Sequence, residues 1–466
     1  MRLHRLIHNS SNTRLILIFS GWSVDWHLFR RYKYPKGYDV SVVWDYSNLE
    51  YNIFNNLTEY DETIVLAWSF GVASFNLIYK YLPSRININC AIAVNGTTNP
   101  VDETKGIPCN IFSGTMSDLS HKTLQSFQRR ICGSRARYNE ISDDLQASQD
   151  DIESLKRQLA VFSPEATTTD QWTINENDLI WDRAFISLND KIFPPENMIR
   201  AWEAYPVAIT TNQSEHLPDF QNIINTVIRD KLLIGQRFGA SQATYDKYAE
   251  VQTYTAQHLM KIWKSSSEIK NIVEVGSGSG ILSKMIAEKY PVANVTWIDL
   301  AESIPQGCNG IFMQGDAEII IKNLQENQYD AVVSANAVQW FHSPLRFLVN
   351  AAKLLKEEGQ LIISTFGPGT FCELSCINNG ASLPYLSVEE WQKYARAANL
   401  KISICEREVI KLEFENGIEL AKHLKNTGVN ALTKPYNTEN YQNLRGLLNY
   451  GQCHLTFNPL YLVLQK

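Results

Sequence analysis

Residues 63–71 read Thr-Ile-Val-Leu-Ala-Trp-Ser-Phe-Gly. Apolar and β-branched residues run up to Trp68, then come Ser69, Phe70 and a glycine that opens a helical stretch. A short apolar run broken at once by small residues is the pattern of a strand turning sharply into a helix. Such a turn lifts a serine oxygen above the sheet edge and needs small residues two places to either side, because the backbone doubles back. Ala67 and Gly71 stand there, so the G-x-S-x-G pattern is met except for its first glycine. Taken alone, the same residues suit a serine that merely caps a helix. The order of the surrounding elements has to decide.

Outward from this stretch, apolar runs recur at Leu15–Phe19, Val40–Tyr46, Cys90–Val94, Cys109–Phe112, Ala184–Leu188 and Val207–Thr210. Strands alternating with amphipathic stretches predict βαβ units and a mostly parallel sheet. Between about 115 and 183 the strand pattern lapses into polar, helix-prone sequence, too long for a plain connection, and reads as an inserted lid. A second strand series follows at Asn271–Val275, Val295–Ile298, Ile311–Met313, Ala331–Ser334 and Gln360–Thr365, with extended candidates at 402–412 and 453–465. A helix over Asn222–Leu233 is expected to cross between the two series. The boundary falls near residue 230, giving domains 1–228 and 229–466, with no internal repeat.

Composition narrows the class. The 466 residues are 44% apolar and 20% charged, ordinary for globular α/β domains and unlike collagen, coiled coil or disorder. The net charge of −6 arises in the first half, where residues 1–230 carry 21 basic and 27 acidic side chains; the remainder carries 22 of each. That balance argues against a nucleic-acid partner held by global charge. No apolar run approaches the roughly 18 residues of a membrane span, and the start MRLHRLIHNSSN lacks the features of a secretory signal. Eight scattered cysteines without a CxxC pair suggest reduced thiols, no metal site and a cytoplasmic protein.

Chain order then tests Ser69. In α/β-hydrolases the order is serine, acid, histidine. Asp190 follows the strand Ala184–Leu188, and His216 follows the strand Val207–Thr210. Asp182 would emerge at the wrong end of its strand, and His121 falls in the lid. The expected roles are nucleophile for Ser69, base for His216 and orienting carboxylate for Asp190. The first strand ends in Phe19-Ser20-Gly21-Trp22, which offers the backbone N–H of Trp22, with that of Phe70, to a developing oxyanion. The phrases FSGW, LAWSFGV, AVNGT, GIP, FQRRICG and NDKIF carry this further. Over residues 12–220 the chain resembles the compact, atypical pimeloyl-[acyl-carrier protein] methyl ester esterases. That resemblance implies removal of a methyl ester from the carrier-bound acyl chain, and Ala67 matches that subgroup's habit.

The second half opens on Asn271–Gly280, NIVEVGSGSG, a strand and glycine loop ahead of a helix. The spacing G-x-G-x-G, with Glu274 before it, favours S-adenosylmethionine over a dinucleotide. Gly276, Gly278 and Gly280 would let the backbone approach the cofactor. Asp299 ends the next strand and suits the ribose hydroxyls. Asp316, with Ala317 beside it, suits the adenine, and Asn336 lies near the methyl donor. Tyr245 is expected to close over the site. The stretch RFGASQATYDKYAEVQ (237–252), with SANAVQWF (334–341), LKNTGVNAL (424–432) and LTFNPLYLVL (455–464), resembles malonyl-[acyl-carrier protein] O-methyltransferases over residues 231–466. The resemblance implies methylation of the free malonyl carboxylate, already ionised at pH 7 and needing no general base. A cation, Arg237 or Lys434, is expected to hold the malonyl group.

Together the resemblances imply a bifunctional enzyme of biotin biosynthesis acting on acyl carrier protein that bears malonyl or pimeloyl methyl ester. Arg129 and Arg130, in a basic cluster with Lys122, Arg135 and Arg137, are candidates for docking that acidic carrier; Asp143, Asp144, Asp150 and Asp151 could neutralise them. Two other readings stay open. One is a generic carboxylesterase joined to a small-molecule methyltransferase; the other is a methyltransferase with an inactive hydrolase-like docking module.

Overall fold

The structure is a computed structural model that describes residues 1–57, 60–83, 86–146, 151–163, 181–265, 268–302, 310–374, 383–427 and 451–466. Lys434, Asp150 and residues 428–432 lie outside the described residues, as does 164–180 of the expected lid. The chain divides into two compact units, Met1–Ile224 and Asn225–Lys466.

In the first unit the strands are β1 (Arg2–Ile7), β2 (Arg14–Phe19), β3 (Tyr38–Trp44), β4 (Glu62–Trp68), β5 (Ile88–Val94), β6 (Arg183–Ser187) and β7 (Ala208–Asn212). They lie in the order β1-β3-β2-β4-β5-β6-β7. All pairs are parallel except β1 with β3. Strands β4, β5 and β6 are buried along their whole length, as expected where helices cover both faces of a parallel sheet. The chain moves from β2 outward to β3, then returns to place β4 on the other side of β2. That reversal opens a crevice at the carboxyl ends of β2 and β4, where ligands of open α/β sheets bind. Its helices are α1 (Phe70–Ile78), α2 (Cys109–Ser117), α3 (His121–Cys132), α4 (Arg135–Gln146), α5 (Ile152–Ala160) and α6 (Pro195–Glu203), and α7 (Phe220–Val227) spans its end.

The second unit holds α8 (Lys231–Tyr248), α9 (Glu250–Ile262), β8 (Asn271–Val275), α10 (Ile281–Lys289), β9 (Asn294–Asp299) and β10 (Gly310–Gln314). After these come α11 (Ala317–Ile320), β11 (Tyr329–Ala335), α12 (Pro344–Leu354), β12 (Leu355–Phe366), α13 (Val388–Ala397), β13 (Lys401–Arg407), β14 (Ile410–Phe414), α14 (Gly417–Asn426), β15 (Cys453–Phe457) and β16 (Pro459–Gln465). Its main sheet runs β10-β9-β8-β11-β12-β16-β13, and β14 pairs with β15. The order again reverses, here between β8 and β11, in a Rossmann-like arrangement. Strand β16 enters antiparallel between β12 and β13, burying Val463 against a cluster that includes Trp263, Trp297 and Ile362.

Three elements differ from the sequence expectation. Cys109–Phe112 is not a strand but the first turn of α2, which starts at Pro108 and buries only Phe112. Four residues are too few to separate a period of 2 from one of 3.6. The helix expected over Asn222–Leu233 is two helices. Asp230 accepts the Leu233 N–H at 2.9 Å and starts α8 afresh. Strand β1 gives no apolar run, because it is a half-exposed edge strand rich in Arg and His. Among the described residues no helix is long and apolar enough to cross a membrane.

Truncating Val463, 2% exposed, to alanine removes two methyl groups from the middle of the β12–β16–β13 seam. The expected cost is about 2 kcal/mol. Calorimetry should show the second unit's transition moving down while that of the first stays put.

Candidate functional site

The first unit concentrates its chemistry at the reversal point. Ser69 leaves β4 with φ 58° and ψ −126°, a backbone conformation that costs a non-glycine residue about 1–3 kcal/mol. Its neighbours hold it there. The Ser69 N–H donates to the Val94 carbonyl at 2.9 Å, and the Ser69 carbonyl accepts from Val72 at 3.1 Å. A Cβ on Gly96 would lie 2.3 Å from the Ser69 carbonyl oxygen, and one on Gly71 would lie 2.3 Å from that of Phe19. Only glycine allows either approach.

His216 stands with Nε2 3.0 Å from Ser69 Oγ and Nδ1 2.7 Å from Asp190 Oδ2. The other Asp190 oxygen accepts the backbone N–H groups of Ile192 and Phe193 at 2.7 and 3.0 Å. An ionised carboxylate only accepts, so Nδ1 carries the imidazole proton and Nε2 is left to accept from the serine hydroxyl. Ser69, Asp190 and His216 are 3%, 7% and 1% exposed, so these hydrogen bonds compete little with water.

Two residues that sequence reasoning left without a role hold the histidine. The His216 carbonyl accepts from the Trp68 indole at 2.9 Å and from the Asn95 amide at 2.8 Å. Asn95, at φ 45°, also accepts the Ser187 N–H at 2.8 Å, so it ties the ends of β5 and β6 to the histidine loop. Its signal in the sequence was an Asn-Gly pair at the end of a buried strand, a pairing suited to positive φ.

The helices after β5 reach over this site. The Trp22 indole donates to the Leu155 carbonyl at 3.0 Å, and its ring meets Phe127 at 4.9 Å. Phe70 contacts Phe112, Phe162 and Phe193 at ring distances of 6.2, 4.9 and 5.9 Å. As the first residue of α1, Phe70 has a backbone N–H with no acceptor within the helix. The basic cluster is not uniform. Arg137 donates to the Pro218 carbonyl at 2.8 Å and pairs with Glu215 at 3.6 Å, beside His216. Asp144 is held by Arg30 and Arg31, at 2.9 and 3.1 Å, whereas Arg129 and Arg130 are exposed.

In the second unit Gly276, Gly278 and Gly280 have φ of 74°, 52° and 86°. A Cβ on Gly276 would meet that of Ala337 at 2.3 Å, so the loop leaves a cradle that a side chain would fill. Asp299 closes the cradle, its two oxygens accepting the N–H groups of Gly278 and Ala301, each at 2.9 Å. Burial raises its carboxyl above the usual range. The pocket, about 1070 Å³ with its mouth, is lined by Gly276, Gly278, Asp299, Asp316, Ala317, Asn336 and Tyr245 together with Lys231, Phe238 and Trp340. The Asn336 amide donates to the Thr255 hydroxyl at 2.9 Å, which fastens the end of β11 to α9. Burial holds the Tyr245 hydroxyl well above its ordinary range, so it stays protonated.

Three expected residues do not line this pocket. Gly280 instead caps α10 in a left-handed conformation, Arg237 lies elsewhere on α8, and Glu274 is wholly buried in β8. Burial pushes the Glu274 carboxyl up to about 8, against the pull of Ser283 and Trp297. Among the described residues no group of three or more His, Cys, Asp or Glu could hold a metal.

Two outcomes follow from this geometry. Gly96→Ala should displace Ser69 and slow labelling of that serine by a fluorophosphonate probe at least about tenfold, measured by mass spectrometry of the labelled peptide. Glu274 gives a pH signature. Its native carboxyl keeps a proton up to about 8, whereas the unfolded chain loses it near 4.5. Its contribution to stability is therefore full below 4.5 and lost as pH rises through 8. Urea midpoints of the second unit should fall across that window, and Glu274→Gln should flatten the fall.

A family described as "Pimeloyl-ACP methyl esterase BioG" matches residues 3–224, and a "Methyltransferase domain" family matches 273–363. Malonyl-[acyl-carrier protein] O-methyltransferase of Bacteroides fragilis is 30% identical over 470 residues, 97% of this chain and 92% of that protein. The Haemophilus influenzae protein of the same name is 31% identical over 253 residues, 50% of this chain and 94% of its own. The crystal structure of BioG from Haemophilus influenzae is 29% identical, covering 47% of this chain and 94% of that one, with a TM-score of 0.40.

Proposed function

Since the chain belongs to the malonyl-[acyl-carrier protein] O-methyltransferase family, and its first half matches the BioG esterase family, we propose that it is a bifunctional enzyme of biotin synthesis. In this reading it methylates the free carboxylate of malonyl-[acyl-carrier protein] and hydrolyses the methyl ester of pimeloyl-[acyl-carrier protein]. The observation that supports the hydrolase is the hydrogen-bonded series Ser69–His216–Asp190, at 3.0 and 2.7 Å, at the carboxyl ends of a mostly parallel sheet. The stretch from about 115 to 183, with helices α3–α5, serves as its lid.

Ester cleavage then runs through named atoms. Ser69 Oγ attacks the ester carbonyl as its proton passes to His216 Nε2. Asp190 steadies the imidazolium, and the backbone N–H groups of Trp22 and Phe70 receive the oxyanion. His216 returns the proton to the departing methoxide, releasing methanol. Water, deprotonated by His216, then frees the acid from Ser69.

The methyltransferase domain uses S-adenosylmethionine. When bound, it supplies an electrophilic methyl group on a sulfonium. Asp299 would accept from the ribose hydroxyls, Asp316 and the Ala317 N–H would meet the adenine, and Gly276 and Gly278 leave room for the backbone to approach. The malonyl carboxylate is already the nucleophilic form at pH 7, so alignment and exclusion of water are what the protein adds. Phe238, Trp340 and the protonated Tyr245 suit that exclusion. Exposed Arg129 and Arg130 on α3 suit docking of an acidic carrier, since Asp144 is engaged elsewhere.

Two substitutions separate the activities. Ser69→Ala should lower kcat/KM for methanol release from the carrier-bound ester by on the order of 10⁴ and leave methyl transfer intact. Asp299→Ala should do the reverse, weakening S-adenosylmethionine binding at least about tenfold while methanol release continues. Hydrolysis undiminished by Ser69→Ala would overturn the nucleophile.

A further inference from the structure

Lys231, the first residue of α8, is a buried cation on the wall of the cofactor pocket, its side chain 1% exposed. Its ammonium lies 2.8 Å from Glu318 Oε2, 3.4 Å from Asp316 Oδ1 and 5.1 Å from the centre of the Phe341 ring. Glu318 is the fixed partner. Its Oε2 also accepts the His342 N–H at 2.9 Å, and its Oε1 the Ser343 N–H at 2.8 Å. Asp316 Oδ1 accepts the Glu318 N–H at 3.1 Å. Two buried carboxylates so placed need the lysine charge, because an uncompensated buried anion costs several kcal/mol.

We propose that Lys231 is a positioning residue for purine recognition: anchored on Glu318, it keeps Asp316 ionised and oriented to accept from a 6-amino purine and to reject a 6-oxo purine. The selectivity follows from hydrogen-bond polarity. A carboxylate only accepts, so it matches an exocyclic amino group and opposes a carbonyl oxygen. Without the ammonium, the pair of carboxylates takes up a proton rather than bear two uncompensated charges. Glu318 keeps two N–H donors that favour its charged form, so the proton goes to Asp316. A protonated Asp316 donates, and a 6-oxo purine then becomes an acceptable ligand. The role rests on the reading of this pocket as the S-adenosylmethionine site.

The test measures affinities of the full chain by calorimetry for S-adenosylhomocysteine and its deaminated analogue S-inosylhomocysteine. The wild type should prefer the amino form by about tenfold or more. Lys231→Met should lose most of that preference, chiefly through tighter binding of the 6-oxo analogue, and Lys231→Arg should restore it. Lys231→Gln, which keeps a hydrogen bond to Glu318 and so spares the fold, should behave like Lys231→Met. Because the readout is a ratio on the folded protein, a loss of affinity shared equally by both ligands would overturn the proposal, and so would an unchanged ratio in either neutral variant. Failure of the wild type to bind S-adenosylhomocysteine would instead overturn the cofactor site itself.

Discussion

A strand that ends in a residue of positive φ is the constraint on which each unit depends. Ser69 at 58° after β4 and Gly276 at 74° after β8 turn the chain sharply at the carboxyl edge of a parallel sheet. In the first unit the turn is strained, because a side chain occupies it, and the strain is offset by glycines that admit the neighbouring backbone. In the second unit the turning residue is itself glycine, so the strain vanishes and the space becomes a cradle. One arrangement of strands thus presents an oxygen nucleophile in one place and an open backbone surface in the other. Both lie where the strand order reverses, because only there do the flanking loops part.

Much of this was legible in the sequence because buried parallel strands read as unbroken apolar runs. Ser69 directly follows such a run, Asp190 comes two residues after one, and His216 lies a few residues past the weaker run Val207–Thr210. What the sequence concealed are contacts between residues far apart in the chain. Nothing local marks Trp68 as the donor to the His216 carbonyl, 148 residues away. Lys231 looks like an ordinary charge at a helix start until the fold brings Asp316 and Glu318 to it. Arg137 counted as one more cation in a basic run, yet it spends its charge on the loop that carries His216. Glu274 adjoins the glycine loop, but side chains along a strand alternate between faces, and adjacency does not carry it into the pocket. Cys109–Phe112 misled for want of length.

On the proposed function, the two chemistries are opposite operations on one group. Methylation removes the charge of a carboxylate that is costly to bury in apolar channels, and hydrolysis restores it. In that reading the serine sits among buried rings: Phe70 packs on Phe162 and Phe193, and Phe193 stacks on His216. The net charge of −6 belongs to the half that carries exposed Arg129 and Arg130, so the partner is to be read from local charge rather than from the sum.

The central claim is that one chain both adds and removes the same methyl group, and an isotope can follow it. Purified protein would be supplied with S-adenosylmethionine labelled in its methyl group, malonyl-[acyl-carrier protein] and the enzymes that elongate the acyl chain to pimeloyl length. The expected result is label first in the carrier-bound ester and then in methanol, with no other esterase present. Label that never enters the carrier-bound acyl group, or that stays in the ester indefinitely, would contradict the account.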